Sequence, residues 1–258
     1  MKYNILKFKF IYLGTILFAL LTISCKTSDT SNVNKEGFVK IFDGKTMQGW
    51  KGDPVYWRVE NGNLVGEVTP ATLLEHNTFI IWQGGQPANF ELKVDFRITK
   101  DGNSGINYRS VALDDISFAL KGYQADIDGQ NKYTGQNYEE RGRTTLAYRG
   151  EKVIINTPDD LSESLMENVK NNAWTKREVT GLLGDRDSLA ALIKKEDWNT
   201  IHLVVNGNRI QHYVNGVLMS DVTDNDTVNR KFSGKLGMQV HVGPAMKVEY
   251  RNLLLKEL

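Results

Sequence analysis

Nine consecutive residues, Phe90-Glu-Leu-Lys-Val-Asp-Phe-Arg-Ile98, alternate between apolar and charged side chains. Only an extended backbone places Phe90, Leu92, Val94, Phe96 and Ile98 on one side and Glu91, Lys93, Asp95 and Arg97 on the other. The segment is predicted to be a strand with one face on a core and the other toward water. Nearer the C-terminus the pattern returns as a meander: Ile201–Val205, Asn206-Gly207, Arg209–Val214, Asn215-Gly216 and Val217–Ser220. Asn-Gly pairs between alternating runs signal two-residue hairpins, because both central positions of a type I′ turn need positive φ. Gly234–Val242 and Met246–Leu255 supply two further strands. Pro158–Lys170 and Ser188–Lys195 (SLAALIKK, with Ser188 as N-cap) read as helices. The expectation is one all-β domain, a two-sheet sandwich decorated by a few short helices.

The first residues follow a different rule. Residues 1–24 carry Lys2, Lys7 and Lys9 with no acid, then an apolar run from Phe10 that is too short for a comfortable membrane span. The run stops at Leu21-Thr22-Ile23-Ser24-Cys25, where the chain's one cysteine stands. That placement resembles a bacterial lipobox, with Thr22 where Leu is usual. Residues 1–24 then read as a lipoprotein signal peptide and Cys25 as a lipid anchor holding the exported chain in the cell envelope; the alternative is a plain secretory signal. Residues 25–36 are polar and read as a flexible tether, and residues 37–258 as the folded domain. A single cysteine excludes a disulfide framework, an iron–sulfur cluster and a cysteine zinc site. With 32 Lys and Arg against 31 Asp and Glu, there is no basic surplus for nucleic acid.

Three segments set apolar residues against an unusual polar set. Ile106 and Tyr108 alternate with Asn107 and Arg109; Tyr123, Ala125 and Ile127 with Gln124, Asp126 and Asp128; Met238, Val240 and Val242 with Gln239 and His241. If these strands share a sheet, its open face gathers Arg109, Gln124, Asp126, Gln239 and His241. A merely solvated face would carry Lys, Glu and Thr, whereas these groups make paired hydrogen bonds of fixed geometry to hydroxyls or carbonyls.

From Phe38 the chain runs through FVKIFDGKTMQGW, WRVENGNLV, FELKVDFRI, GNSGINYR, GYQADID, YTGQNYEERGRTTLAYRG, the meander and GKLGMQVHVGPAMKVEYRNLLLKEL. In this order the blocks resemble the 3-keto-disaccharide hydrolase family over essentially all of Phe38–Leu258. The resemblance implies a concanavalin-like jelly-roll sandwich, often exported or lipid-anchored in sugar-degrading bacteria. It also implies action on glycosides already oxidised to a ketone at C3 by a separate sugar 3-dehydrogenase. Where many members carry Glu, Gln and Asp along the central strand, this chain has Gln124, Asp126 and Asp128.

A ketone at C3 acidifies the C2 hydrogen, so a base can remove it while another group holds the enolate. The C1 substituent then leaves and water adds back, a net hydrolysis. The candidate base is Asp126 or His241, the latter equally readable as a structural histidine; His202 and His212 look like ordinary strand residues. Tyr138, Glu139, Glu140, Arg141 and Arg143 are either a surface ion-pair patch or part of the site. In the second case Tyr138 or Glu139 donates to or deprotonates the sugar and Arg109 or Arg141 holds the keto oxygen, with Gln124, Glu140 and Gln239 binding substrate. Trp50, Trp57 and Trp198 are assigned to the core and Trp82 to stacking on a sugar ring. Glucanases of this fold align acids as E-x-D-x-E on one strand; the nearest run here, Glu91-x-Lys93-x-Asp95, breaks the pattern. Asp114-Asp115 and Asp126-x-Asp128 offer oxygen ligands for Ca²⁺ or another divalent cation, and no glycine motif for a nucleotide cofactor is present. The alternative function is a non-catalytic carbohydrate-binding module of a surface glycan-degradation system.

Replacing Cys25 by Ala is expected to abolish metabolic labelling of the chain with a fatty-acid probe and to release it from the membrane fraction. A Cys25→Ala chain that still takes up label would overturn the lipid-anchor expectation.

Overall fold

The computed structural model describes residues 1, 34, 36–159, 167, 170–171, 174 and 176–258. Cys25, the signal-like segment, nearly all of the tether and most of the predicted helix at 158–170 lie outside the described residues. Asn32–Leu258 is one compact unit. Its strands are β1 Val39–Lys40, β2 Trp50–Lys51, β3 Trp57–Glu60, β4 Asn63–Val68, β5 Thr78–Trp82 and β6 Phe90–Ile98. There follow β7 Asn103–Ala112, β8 Leu120–Asp128, β9 Asn137–Glu140, β10 Thr144–Ala147, β11 Glu151–Ile155 and β12 Arg177–Leu182. The chain closes with β13 Asn199–Asn206, β14 Arg209–Val214, β15 Val217–Asp224, β16 Lys235–Val240 and β17 Met246–Glu257. A ten-stranded sheet has the order β12-β11-β15-β14-β13-β6-β17-β4-β3, with β1 on β17; a seven-stranded sheet has β10-β9-β8-β7-β16-β5-β2. The result is the two-sheet sandwich of the jelly-roll type that the alternation and the resemblance imply.

β6 behaves as its sequence dictates: Phe90, Leu92, Val94, Phe96 and Ile98 are buried, and the four charged residues between them are half-buried. Opposite them in the core lie Ile106, Tyr108, Tyr123, Ala125, Ile127, Met238 and Val240 from the seven-stranded sheet. Tyr108 and Tyr123 stack with ring centres 5.6 Å apart. The hairpins separate two turn types. Asn215 and Gly216 both have positive φ and close β14 to β15 as type I′, as do Asn61 and Gly62 between β3 and β4. Asn206 instead pairs with Arg209, so the first turn is Gly207-Asn208 with positive φ only at its glycine, a II′ pattern. The predicted helix at 188–195 is shorter and starts earlier, as α1 Arg186–Ala190. Its N-cap is Asp185, not Ser188, because the Asp185 carboxylate accepts from the Ser188 N–H at 2.8 Å. Among the described residues no helix is long and apolar enough to cross a membrane.

The two sheets are also joined by a buried ion cluster. Arg143, beside β10, grips Glu139 of β9 through Nε and Nη2 at 2.8 and 2.9 Å and reaches across to Asp224 of β15 at 2.7 Å and Asp226 at 3.2 Å. Tyr123 donates its hydroxyl to Asp224 at 2.5 Å. One cation thus serves three buried carboxylates, so deleting it strands them together. Arg143→Met is expected to cost about 3–5 kcal/mol, read as a lower urea midpoint at neutral pH. An unchanged midpoint would show that the cluster contributes nothing to holding the sheets.

Candidate active site

The outer face of the seven-stranded sheet carries a polar concavity of about 480 Å³. Here β8, unlike β6, is buried on both faces: Tyr123, Ala125 and Ile127 enter the core, and Gln124, Asp126 and Asp128 are closed over on the other side. The floor is a chain of amides converging on one carboxylate. Gln239 Nε2 of β16 donates to Gln124 Oε1 at 3.1 Å, and Gln124 Nε2 donates to Asp126 Oδ1 at 2.6 Å. From the loop before β9, Gln136 Nε2 donates to Asp126 Oδ2 at 2.5 Å. Gly105 faces Asp126 across β7 and β8, and a Cβ there would lie 2.5 Å from the Gln124 side chain, so glycine makes room for the amide to lie flat.

Burial dominates Asp126. It raises the carboxyl to about 7 despite the two amide donors, and the Glu140 and Asp128 charges push the same way. Tyr138 and Glu140 stand on the same face, two residues apart on β9. Burial and both neighbouring carboxylates push Tyr138 up to about 12, so it stays a proton donor. Glu140 accepts from Asn77 Nδ2 at 3.0 Å and has the Arg141 Nε 3.8 Å away. His241 sits just past the end of β16 on the rim, its Nδ1 donating to Val242 O at 2.5 Å. A carboxyl that titrates near neutrality, a phenol, a second carboxylate, a guanidinium and an imidazole therefore share one concavity, together the equipment for proton transfer next to a developing oxyanion.

Six of the sequence-predicted residues line this concavity: Gln124, Asp126, Tyr138, Glu140, Arg141 and His241. Gln239 lies beneath, holding Gln124. Three do not belong to it. Arg109 follows Tyr108 in a β-bulge, with φ of 46°, and the bulge breaks the alternation that placed it on the open face. Its buried guanidinium is spent on the carbonyls of Ala88, Gly207 and Lys231. Glu139 faces the core side with Tyr123, as it must between Tyr138 and Glu140, and is bound to Arg143. Trp82 shares the face of Ile80 and packs on the core near Trp50. Trp50 and Trp57 are core as expected, but Trp198 is half-buried on the surface, with the Arg251 guanidinium 3.8 Å from its ring centre.

Six polar contributors to the lining escaped the sequence reading: Glu75, His76, Asn77, Asn103, Tyr133 and Gln136. Gln136 follows from stepping back two from Tyr138, and Asn103 from stepping back through Gly105, so alternation could have found both. Asn77 and Tyr133 come from loops, where no periodic signal exists. His212, read as an ordinary strand residue, is buried in the core, where burial lowers it to about 4 and keeps it neutral. Its Nδ1 donates to Gln136 O at 3.3 Å, leaving Nε2 to accept from Tyr108 at 2.8 Å, so the opposite sheet fixes the backbone of the residue that grips Asp126. His202 is half-buried against Glu91 at 2.9 Å.

The calcium expectation finds little support in the side chains. Asp128 is occupied by the N–H groups of Lys132, Tyr133 and Thr134, and Asp114 and Asp115 are exposed in a loop. Among the described residues no group of three or more His, Cys, Asp or Glu is placed to hold a metal ion.

The raised Asp126 has a consequence for stability. Its folded value of about 7 lies above the unfolded 3.8, so its contribution is fully present below about pH 4 and is lost as pH rises through 7. Asp126→Asn should remove that loss: relative to the parent, its unfolding free energy from urea titrations is expected to gain from pH 4 to about pH 7 by a few kcal/mol and then level off. Parallel pH profiles for the two chains would refute the raised value.

Residues 37–256 match the family described as 3-keto-alpha-glucoside-1,2-lyase-like domain. A 90-residue segment is 34% identical to the 3-keto-disaccharide hydrolase of Bacteroides thetaiotaomicron, covering 30% of this chain and 28% of that protein. In fold, a crystal structure from Parabacteroides distasonis, provisionally described as a glycosyl hydrolase, is similar with a TM-score of 0.53 at 16% identity, over 86% of this chain and 99% of that one. A Bacillus subtilis protein with a galectin-like fold gives a TM-score of 0.50 at 12% identity, over 82% and 90% of the two chains. With the family match spanning nearly the whole domain and the sandwich that carries it, the chain belongs to the 3-keto-alpha-glucoside-1,2-lyase-like family.

Proposed function

We propose that the chain cleaves 3-keto-glycosides or 3-keto-disaccharides by elimination and rehydration. The observation that carries the reading is Asp126, a carboxyl titrating near neutrality on the floor of a polar concavity, held between two amides. Ionised Asp126 takes the C2 proton of the sugar, and the electrons move onto the C3 oxygen as an enolate that Arg141 stabilises. Tyr138 donates a proton to the oxygen leaving C1, giving an enone. Water then adds its hydroxyl to C1 and a proton returns to C2, so the sum is hydrolysis. Glu140 and His241 bind the sugar hydroxyls and recharge Tyr138. The ketone must be supplied by a dehydrogenase acting earlier, and Cys25 would hold the enzyme in the cell envelope beside it.

The test follows nitrophenol release from nitrophenyl 3-keto-glucosides of both anomers, beside the unoxidised glucosides. Release from a keto substrate alone is expected, with kcat/KM rising with pH and levelling off above about 7 as Asp126 ionises. Asp126→Asn is expected to lower it by about 10²–10⁴-fold. No release from any substrate, with sugar binding still measurable, would replace the enzyme by a carbohydrate-binding module.

A further inference from the structure

A second concavity, of about 680 Å³, adjoins the first, and the exposed ring of Tyr133 lines both. The two have opposite electrostatics. The first is lined with carboxylates; the second is walled by Lys132, Arg149, Arg186 and Lys195 against one acid, Asp187. Among the described residues none of these four cations has a carboxylate within ion-pair distance. Arg149 is the built element, only 4% exposed. Its Nε donates to Arg186 O at 3.0 Å and its Nη1 to Thr134 O at 2.7 Å, two neutral acceptors that fix the guanidinium without cancelling its charge. Arg186 is positioned in turn, with Nη2 donating to Lys132 O at 3.3 Å and its guanidinium 5.0 Å from the Tyr148 ring centre. Burial and the neighbouring Arg186 charge both pull Arg149 below the ordinary arginine range. Four like charges in a concavity, outnumbering Asp187 in the lining and the nearby Asp128 and paired with neither at ion-pair distance, create a positive potential, and a planar guanidinium held in place suits a planar or tetrahedral oxyanion.

We propose that this second concavity is a subsite for an anionic sugar unit, carboxylated or sulfated, attached to the 3-keto unit at Asp126. The proposal rests on the catalytic reading above for the position of the scissile bond, and the oxyanion subsite makes acidic disaccharides the preferred substrates.

The full chain is assayed with 3-keto disaccharides whose second unit is glucose, glucuronate or glucose 6-sulfate. Expected is a kcat/KM about tenfold or more higher for an acidic unit than for glucose at low ionic strength, the margin shrinking in about 0.5 M salt. The glucuronate and sulfate arms decide which oxyanion is read. In Arg186→Glu and Lys195→Glu, both at exposed positions, the acidic-to-neutral ratio is expected to fall by about tenfold. Turnover of the neutral substrate with no acidic preference would overturn the subsite and leave the hydrolase reading standing. If nothing is turned over, calorimetry with the unoxidised disaccharides decides separately: tighter binding of an acidic one supports the subsite, and equal binding overturns it.

Discussion

A strand offers each side chain one of two faces, and from Gly122 to Asp128 of β8 both are buried. That constraint sets the rest of the site. On the core side it is met by apolar and aromatic residues; on the other, every polar group must find its partner within the sheet or its loops. Gln239, Gln124 and Gln136 meet this demand by passing hydrogen bonds toward a single carboxylate. Because the donors are neutral amides rather than cations, they orient Asp126 without neutralising it, and the carboxyl holds its proton to about pH 7. A guanidinium in place of either amide would have pulled it down and removed its use in proton transfer near neutrality.

The arginines divide along the same line. Arg109 and Arg143 are buried struts: one ties the carbonyls of three separate loops, the other bridges the two sheets through carboxylates. Arg149 is fixed by carbonyls alone, and Arg141 approaches Glu140 only at 3.8 Å, so both present charge to the concavities they line. A carboxylate consumes the charge of a guanidinium, as in Arg143, whereas a carbonyl consumes only its N–H geometry; of the two arginines held by carbonyls, Arg109 is closed off by burial and Arg149 lines a concavity.

Much of this was legible in the chain, and where it was not the reason is local. The alternation of Phe90–Ile98 and the Asn215-Gly216 turn place β6 and the β14–β15 hairpin, the turn expected at Asn206-Gly207 closes one residue later, and the polar residues of β8 fall on the face the alternation gives them. Arg109 was misplaced because one extra residue in a bulge reverses the face of everything after it, and a bulge has no reliable mark in a single sequence. Glu139 was misplaced against the alternation itself, since its flanking residues Tyr138 and Glu140 had already claimed the other face. Asn77 and Tyr133 reach the site from loops whose course is set by tertiary packing. Asp185 holds the cap because its carboxylate accepts the N–H of Ser188, which places Ser188 inside the first turn.

The place of β17 in the larger sheet has a consequence for how the protein is made. β4 and β6 lie on either side of it, and β1 pairs with it as well. During synthesis β4, paired with β3 as a hairpin, and β6 emerge without the strand that belongs between them, because β17 comes after all the other described strands in the chain. Leu64, Phe90, Leu92 and Phe96 wait uncovered throughout that interval, and the unpaired edges of β4 and β6 are open to foreign strands. The part of the sheet from β6 to β12 can pair without β17, and joining it to the β3–β4 hairpin waits for that strand.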